Sequence, residues 1–209
     1  LTRQISIRCR TSSAFPASRA GAVVCCRNSS SRLSMLSPDG RCKAFDASAN
    51  GFVRSEGAGM VLLKRLDQAL ADNDRIYAVI KGIGGASDGK GSGMTVPRTH
   101  GQRLAIDRAG KIAGIKTDTL DLIEAHGTGT RVGDRVEFEA LNQVFEESGV
   151  NGNKCALGSV KSMIGHTKAS AGAAGMIKTA LSLYHKVLPP TLKAETPDPS
   201  LGIENSHFY

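Results

Sequence analysis

Tryptophan is absent, and aromatic residues make up only 4% of the 209 residues. Stacking platforms for single-stranded nucleic acid are correspondingly scarce. No apolar run approaches the ~18 residues that a membrane-spanning helix needs. The longest early apolar stretch, Gly21 to Cys26, is too short for the hydrophobic region of a secretory signal. Pairing signals for cysteine are missing as well. Cys9, Cys25, Cys26, Cys42 and Cys155 are odd in number and contain no Cys-x-x-Cys, which argues against a disulfide framework and a zinc pattern. The expectation is a reducing, cytoplasmic setting, no metal and no membrane. The chain starts at Leu1 rather than Met, so it is expected to be a piece of a longer protein.

Acidic residues are nearly missing from one end only. Residues 1–43 hold eight basic side chains against Asp39 alone, whereas residues 44–209 hold 19 basic and 18 acidic ones. The net charge of +8 therefore sits mostly in one segment, and the remainder lacks the basic face that a nucleic-acid partner requires. Residues 1–33 are rich in Ser and Arg and show no sustained period of 2 or 3.6. They are set apart as an unassigned basic segment, expected to be disordered or misread. Residues 34–209 form the second unit.

From Met35 onward the chain becomes regular. Gly57 to Leu63 reads as a buried strand, Lys64 to Ala71 as helical, and Ile76 to Ile80 as a second strand. Gly82 to Gly93 holds six glycines and must be a loop. A helix is expected around Gln102 to Ala109 and a strand over Leu120 to Ala125. Asp134 could cap a helix whose Phe138, Leu141 and Phe145 share a face. Cys155 to Leu157 reads as a short strand and Gly172 to His185 as a helix stopped by Pro189-Pro190. Strands alternating with helices indicate a layered α/β fold.

Two strings carry chemistry. Glu124-Ala125-His126-Gly127-Thr128-Gly129-Thr130 follows a predicted strand directly, where α/β sheets present groups to ligands. Gly127 and Gly129 are expected to let the backbone approach a substrate, and Thr128 and Thr130 offer hydroxyls. The second string runs from Gly158 through Lys161 and His166 to Gly175. Its Lys161 and His166 flank a short loop that enters a helix of small residues, whose start favours developing negative charge. A phosphate cradle is disfavoured, because the Walker spacing is absent.

These strings resemble the two histidine motifs of β-ketoacyl synthases. The resemblance extends through Leu36-Ser37-Pro38-Asp39-Gly40-Arg41-Cys42-Lys43-Ala44-Phe45-Asp46, Gly57 to Leu66, and Pro189-Pro190-Thr191, so it covers roughly Met35 to Tyr209. It implies a thiolase-like fold with α/β/α/β/α layers, here partial and lacking most of the N-terminal half and the last strands. It also implies decarboxylative condensation of malonyl on an acyl carrier protein with an acyl thioester. By resemblance, His126 and His166 donate hydrogen bonds to the malonyl thioester oxygen and Lys161 supports the first histidine. Thr128 and Thr130 contact the phosphopantetheine arm. That arm belongs to the carrier-protein partner, and the domain itself binds no cofactor. Other synthase domains and a homodimer are the further implied partners. Val96-Pro97-Arg98, Gly101-Gln102 and Lys186 to Pro190 look like the polyunsaturated-fatty-acid and iterative type I branch, with a modular polyketide synthase as the close competitor.

The family's nucleophilic cysteine, on a turn like Asp-Thr-Ala-Cys-Ser-Ser-Ser, has no match. Cys25 and Cys26 lack the preceding Asp-Thr-Ala, and Cys42 and Cys155 read as structural. The chain ends before the family's closing glycine-rich strand. The chain alone is therefore expected to be inactive. A thiolase is disfavoured by His126-Gly127-Thr128-Gly129-Thr130. The alternative from another class is a non-catalytic, chain-length-factor-like or interaction subunit, against which the joint presence of His126, Lys161 and His166 argues.

Overall fold

The computed structural model describes residues 5–9, 35–90, 96–149 and 155–209. The regular elements are strands β1 (Ile5–Cys9), β2 (Val61–Arg65), β3 (Ala78–Ile80), β4 (Leu122–Glu124) and β5 (Ala156–Gly158). The helices are α1 (Leu66–Ala71), α2 (Thr99–Ala113), α3 (Arg131–Glu147), α4 (Lys161–Ile164) and α5 (Ala171–His185). The strands make two small sheets, one antiparallel in the order β2-β1-β3 and one a parallel pair of β4 and β5.

The α/β alternation expected from the sequence is present, with shifted edges. Gly57 and Gly59 lie ahead of β2 rather than in it, and only Gly59 is held there by tight packing. A Cβ on Gly57 would touch the Thr167 side chain at 3.4 Å, and one on Gly59 would press on Ala173 at 3.1 Å. Helix α5 ends before Pro189-Pro190. Lys186 takes the left-handed conformation (φ 54°, ψ 47°) and its N–H closes onto the Ser182 carbonyl, so a left-handed cap rather than proline stops the helix. In the segment set apart at 1–33, Ile5–Cys9 pairs with β2 and β3. The rest of that expectation, with Cys25 and Cys26, lies outside the described residues.

Packing follows the apolar pattern. Phe138, Leu141 and Phe145 lie buried on one face of α3, as their spacing predicts, with Phe45, Ala125, Cys155 and Phe208 around them. Ile123 of β4 and Leu157 of β5 pack onto this cluster. Helix α5 contacts β3 and β4, so it lies between the two sheets. The layers thus alternate as α3, the β4–β5 pair, α5 and the antiparallel sheet. Apolar surface remains open on Met60 (76% exposed), Leu62 (56%) and Leu183 (62%). No helix of the described residues is long and apolar enough to cross a membrane.

Candidate active site

The first histidine leaves the end of β4, where the chain must turn sharply into α3. Two carboxylates in the first turns of α3 hold that turn. Glu137 accepts from the N–H groups of His126 (2.7 Å) and Gly127 (2.8 Å). Asp134 accepts from Thr128 N–H (3.0 Å), Gly129 N–H (3.2 Å) and, across the core, Phe45 N–H (2.8 Å). Asp134 is therefore no helix cap: Thr130 precedes α3 without a side-chain cap bond, and Asp134 instead gathers loop amides. Burial pushes its carboxyl up to about 6 against those three bonds. Burial also raises Glu137, opposed by its two amides.

The glycines of the loop are required by close packing within the fold. Gly127 (φ 35°) would drive a Cβ to 2.7 Å from Ser159 Cβ, and Gly129 (φ 74°) to 2.9 Å from the Lys43 backbone nitrogen. They let one stretch of protein approach another. Thr128 and Thr130 place their hydroxyls 3.0 Å apart.

The second histidine is fixed by main-chain pairing. His166 N–H donates to the Val53 carbonyl at 2.7 Å, and its own carbonyl accepts from Ser55 N–H at 3.2 Å. Gly165 (φ 77°) permits this approach, since a Cβ there would meet Ser55 Cβ at 3.0 Å. Two residues before Val53, Gly51 N–H donates to the Gly129 carbonyl at 2.8 Å. Residues 51–55 thus tie both histidine loops together.

The result brings the rings of His126 and His166 to 5.3 Å between centroids at an interplanar angle of 83°. Both line a cavity of about 1000 Å³, together with Thr128, Thr130, Phe52 and Lys168. The main-chain N–H of Lys168 donates to His166 Nδ1 at 3.1 Å. In the neutral ring Nδ1 is then the acceptor and the proton sits on Nε2. Burial, then the charges of Lys168, Lys161 and His126, lowers the His166 pKa to about 4. Burial, then Lys161 and Lys168, lowers His126 as well. Both rings are held toward the neutral, proton-donating form.

Lys161 is buried at 4% exposure. With His126 and Glu124 it borders a second cavity of about 410 Å³. Burial lowers its pKa, opposed by the charges of Glu124 and Glu137. Glu124 itself accepts from Val160 N–H at 2.6 Å and pairs with Lys178 at 2.7 Å, anchoring the turn that carries Lys161. The sequence reading missed Glu137, Lys168 and the Glu124–Lys178 pair. Only the spacing of Asp134 and Glu137 on one side of α3 signalled any of this. Cys42 and Cys155 are buried free thiols, both raised by desolvation, Cys155 to about 11. Such thiols are not nucleophiles at neutral pH. Among the described residues no group of three His, Cys, Asp or Glu side chains could hold a metal ion.

Comparison with known proteins adds family and extent. The profile of the β-ketoacyl synthase C-terminal domain matches residues 77–195, and that of the N-terminal domain matches residues 24–69, a match that begins ahead of the boundary expected at residue 34. The chain is 49% identical to polyketide synthase PksL of Bacillus subtilis over 175 residues, which is 84% of this chain and 4% of that protein. It is 45% identical to a phenolphthiocerol/phthiocerol polyketide synthase of Mycobacterium tuberculosis, over 84% of this chain and 11% of that one. Among solved structures, the ketosynthase from module 6 of the bacillaene synthase of Bacillus subtilis 168 superposes with a TM-score of 0.84 at 48% identity. That match covers 87% of this chain and 33% of the other. The chain thus spans a third of a solved ketosynthase and a small part of each curated relative.

Proposed function

Because the chain belongs to the β-ketoacyl synthase family, we propose that it carries the half of a ketosynthase site that decarboxylates malonyl on a carrier protein. The observation that carries this reading is the pair of neutral-leaning imidazoles, 5.3 Å apart, on one cavity. When the malonyl thioester loses CO₂, the electron pair of the broken C–C bond moves onto the thioester oxygen. His166, with its proton on Nε2, and His126 donate hydrogen bonds to that oxygen. The resulting enolate carbon then attacks an acyl thioester carbonyl and expels the thiolate that held it. Each such donor is worth about 3 kcal/mol in the transition state, because it is already aimed before charge develops. Lys161, beside His126, biases that ring toward its neutral form and supports it. Thr128 and Thr130 take the amide-rich phosphopantetheine arm of the acyl carrier protein at the cavity wall.

Condensation also needs a thiolate on a positioned turn. Cys42 and Cys155 are too buried and too basic to supply it, and Cys25 and Cys26 lack the sequence context of one. The 209-residue chain alone therefore does not load an acyl group. The free cysteines fit a reducing, cytoplasmic location, and the intact domain works as a homodimer beside the other domains of its synthase. A non-catalytic subunit would have no use for two proton-donating imidazoles held on one cavity.

The test pairs two assays. Radiolabelled acyl transfer to the chain should give no covalent product; labelling abolished by Cys25→Ala or Cys26→Ala would return the nucleophile to that segment. With the upstream half of a related ketosynthase added, decarboxylation of malonyl-carrier protein should fall about 100- to 1000-fold in His126→Ala and in His166→Ala. Undiminished decarboxylation in both variants would refute the reading.

A further inference from the structure

Lys168 sits in the left-handed region (φ 56°), which a side-chain-bearing residue keeps only where its surroundings enforce it. Two contacts enforce it here. Its N–H donates to His166 Nδ1 at 3.1 Å, and its Nζ lies 3.8 Å above the centre of the Phe52 ring. Phe52 is itself buried at 4% exposure, and its N–H is bonded to the Met35 carbonyl at 2.9 Å. The same Phe52 ring stands edge-on to the His166 ring at 5.4 Å. The contacts close a circuit from Phe52 to the Lys168 cation, through the Lys168 backbone to His166, and back to Phe52.

We propose that Lys168 is a positioning residue for His166: its side chain, anchored on Phe52, maintains the left-handed backbone that aims the Lys168 N–H at Nδ1 and so fixes the ring and leaves its proton on Nε2. A cation over an aromatic face is an effective anchor because the ring's negative face attracts it even in partly exposed sites. The inference rests on the reading of His166 as a neutral donor. The charged and titratable groups acting on His166 are Lys168, Lys161 and His126, and Arg54 on the facing segment acts on Lys168. Lys168 thus has two separable effects. Its backbone sets the geometry of His166, and its charge opposes protonation of the ring.

Substitution separates the two. Lys168→Gly adopts positive φ freely but carries no cation. Lys168→Met and Lys168→Ala lose the anchor and must still hold positive φ. Lys168→Arg keeps both features. Lys168 is exposed, so these variants fold if the parent does, and Phe52→Leu removes the anchor from the other side. The experiment uses the ¹⁵N-labelled 209-residue chain. It measures the N–N coupling across the hydrogen bond from the residue-168 amide to His166 Nδ1, and the titration of the His166 ring. Coupling should persist in the parent, Lys168→Arg and Lys168→Gly. In Lys168→Met, Lys168→Ala and Phe52→Leu the bonded-to-unbonded ratio should fall roughly 2- to 5-fold, the worth of a partly exposed cation–π contact. The His166 pKa should rise in Lys168→Gly and Lys168→Met alike. Coupling unchanged in Lys168→Met and Lys168→Ala would overturn the proposal and leave the neutral-donor reading standing. A parent ring protonated on Nδ1, with no coupling, would overturn both.

Discussion

Asp134→Ala should destabilise the fold by about 2–6 kcal/mol, through the loop that carries His126. The figure follows from two opposing effects. Asp134 is 3% exposed and takes the N–H groups of Phe45, Thr128 and Gly129. Hydrogen bonds to a charged acceptor contribute about 1.5–3 kcal/mol each, so the three together contribute roughly 5–9 kcal/mol. Burial of the carboxylate, aided by the charge of Glu137, outweighs them in its titration: the net rise from 3.8 to about 6 is a bias of about 3 kcal/mol against the ionised form at neutral pH. For a chain of this size the net loss lowers Tm by roughly 4–24 °C, readable by circular dichroism at pH 7. Asp134→Asn keeps one acceptor oxygen and should fall between parent and alanine variant. The pH arm has a definite sign. Between pH 3.8 and 6 the folded chain binds a proton at Asp134 that the unfolded chain does not. The group's contribution is therefore complete below about 3.8 and is lost as pH rises through 6, and Asp134→Asn should lack this dependence. An alanine variant within about 1 kcal/mol of the parent, or an asparagine variant more stable than the parent at pH 7, would refute the balance drawn here.

Gly129→Ala should cost about 2–4 kcal/mol in urea unfolding, since it combines left-handed strain with backbone overlap at Lys43. Gly114→Ala, equally left-handed but with nothing within 4 Å, should cost only about 1 kcal/mol. Cys42 and Cys155 should resist iodoacetamide at pH 8 in the folded chain and react once it is unfolded in urea; mass-spectrometric labelling of both at the denatured rate would contradict their burial. Lys178→Met should destabilise by about 3–5 kcal/mol by stranding the Glu124 carboxylate, and adding Glu124→Gln should recover part of that loss in thermal melts.

The sequence was most readable where a single element sets its own pattern. The period of Phe138, Leu141 and Phe145 located the buried face of α3 because helix geometry alone decides it. The histidine strings were legible because their residues lie close together in the chain. What stayed hidden was long-range. The pairing of Phe45 N–H with Asp134 joins residues far apart in sequence, so Asp134 looked like a cap. Lys168 was given no role because neither its left-handed φ nor Phe52 beneath it can be read from the neighbours of Lys168. The glycines at 127 and 129 were correctly marked as sites of close approach, but which body approaches, substrate or protein, is a property of the tertiary fold. The alternation of apolar and polar residues in Ile5–Cys9, too short to stand out from its Ser/Arg-rich surroundings, was passed over, although those residues form a strand.

The distance between the two imidazoles is stored in main-chain atoms. Gly51 N–H meets the Gly129 carbonyl, Val53 carbonyl meets His166 N–H, and Ser55 N–H meets the His166 carbonyl. A gauge of that kind registers how many residues lie between its marks and takes little notice of what Val53, Arg54 or Ser55 carry as side chains. Exchange of the side chains at Val53 or Arg54 should therefore leave the site's dimensions unchanged, whereas Gly51 (φ 132°, with no room for a Cβ) and Phe52 beneath Lys168 are not open to exchange. A single-codon insertion or deletion within it would move one histidine against the other in one generation.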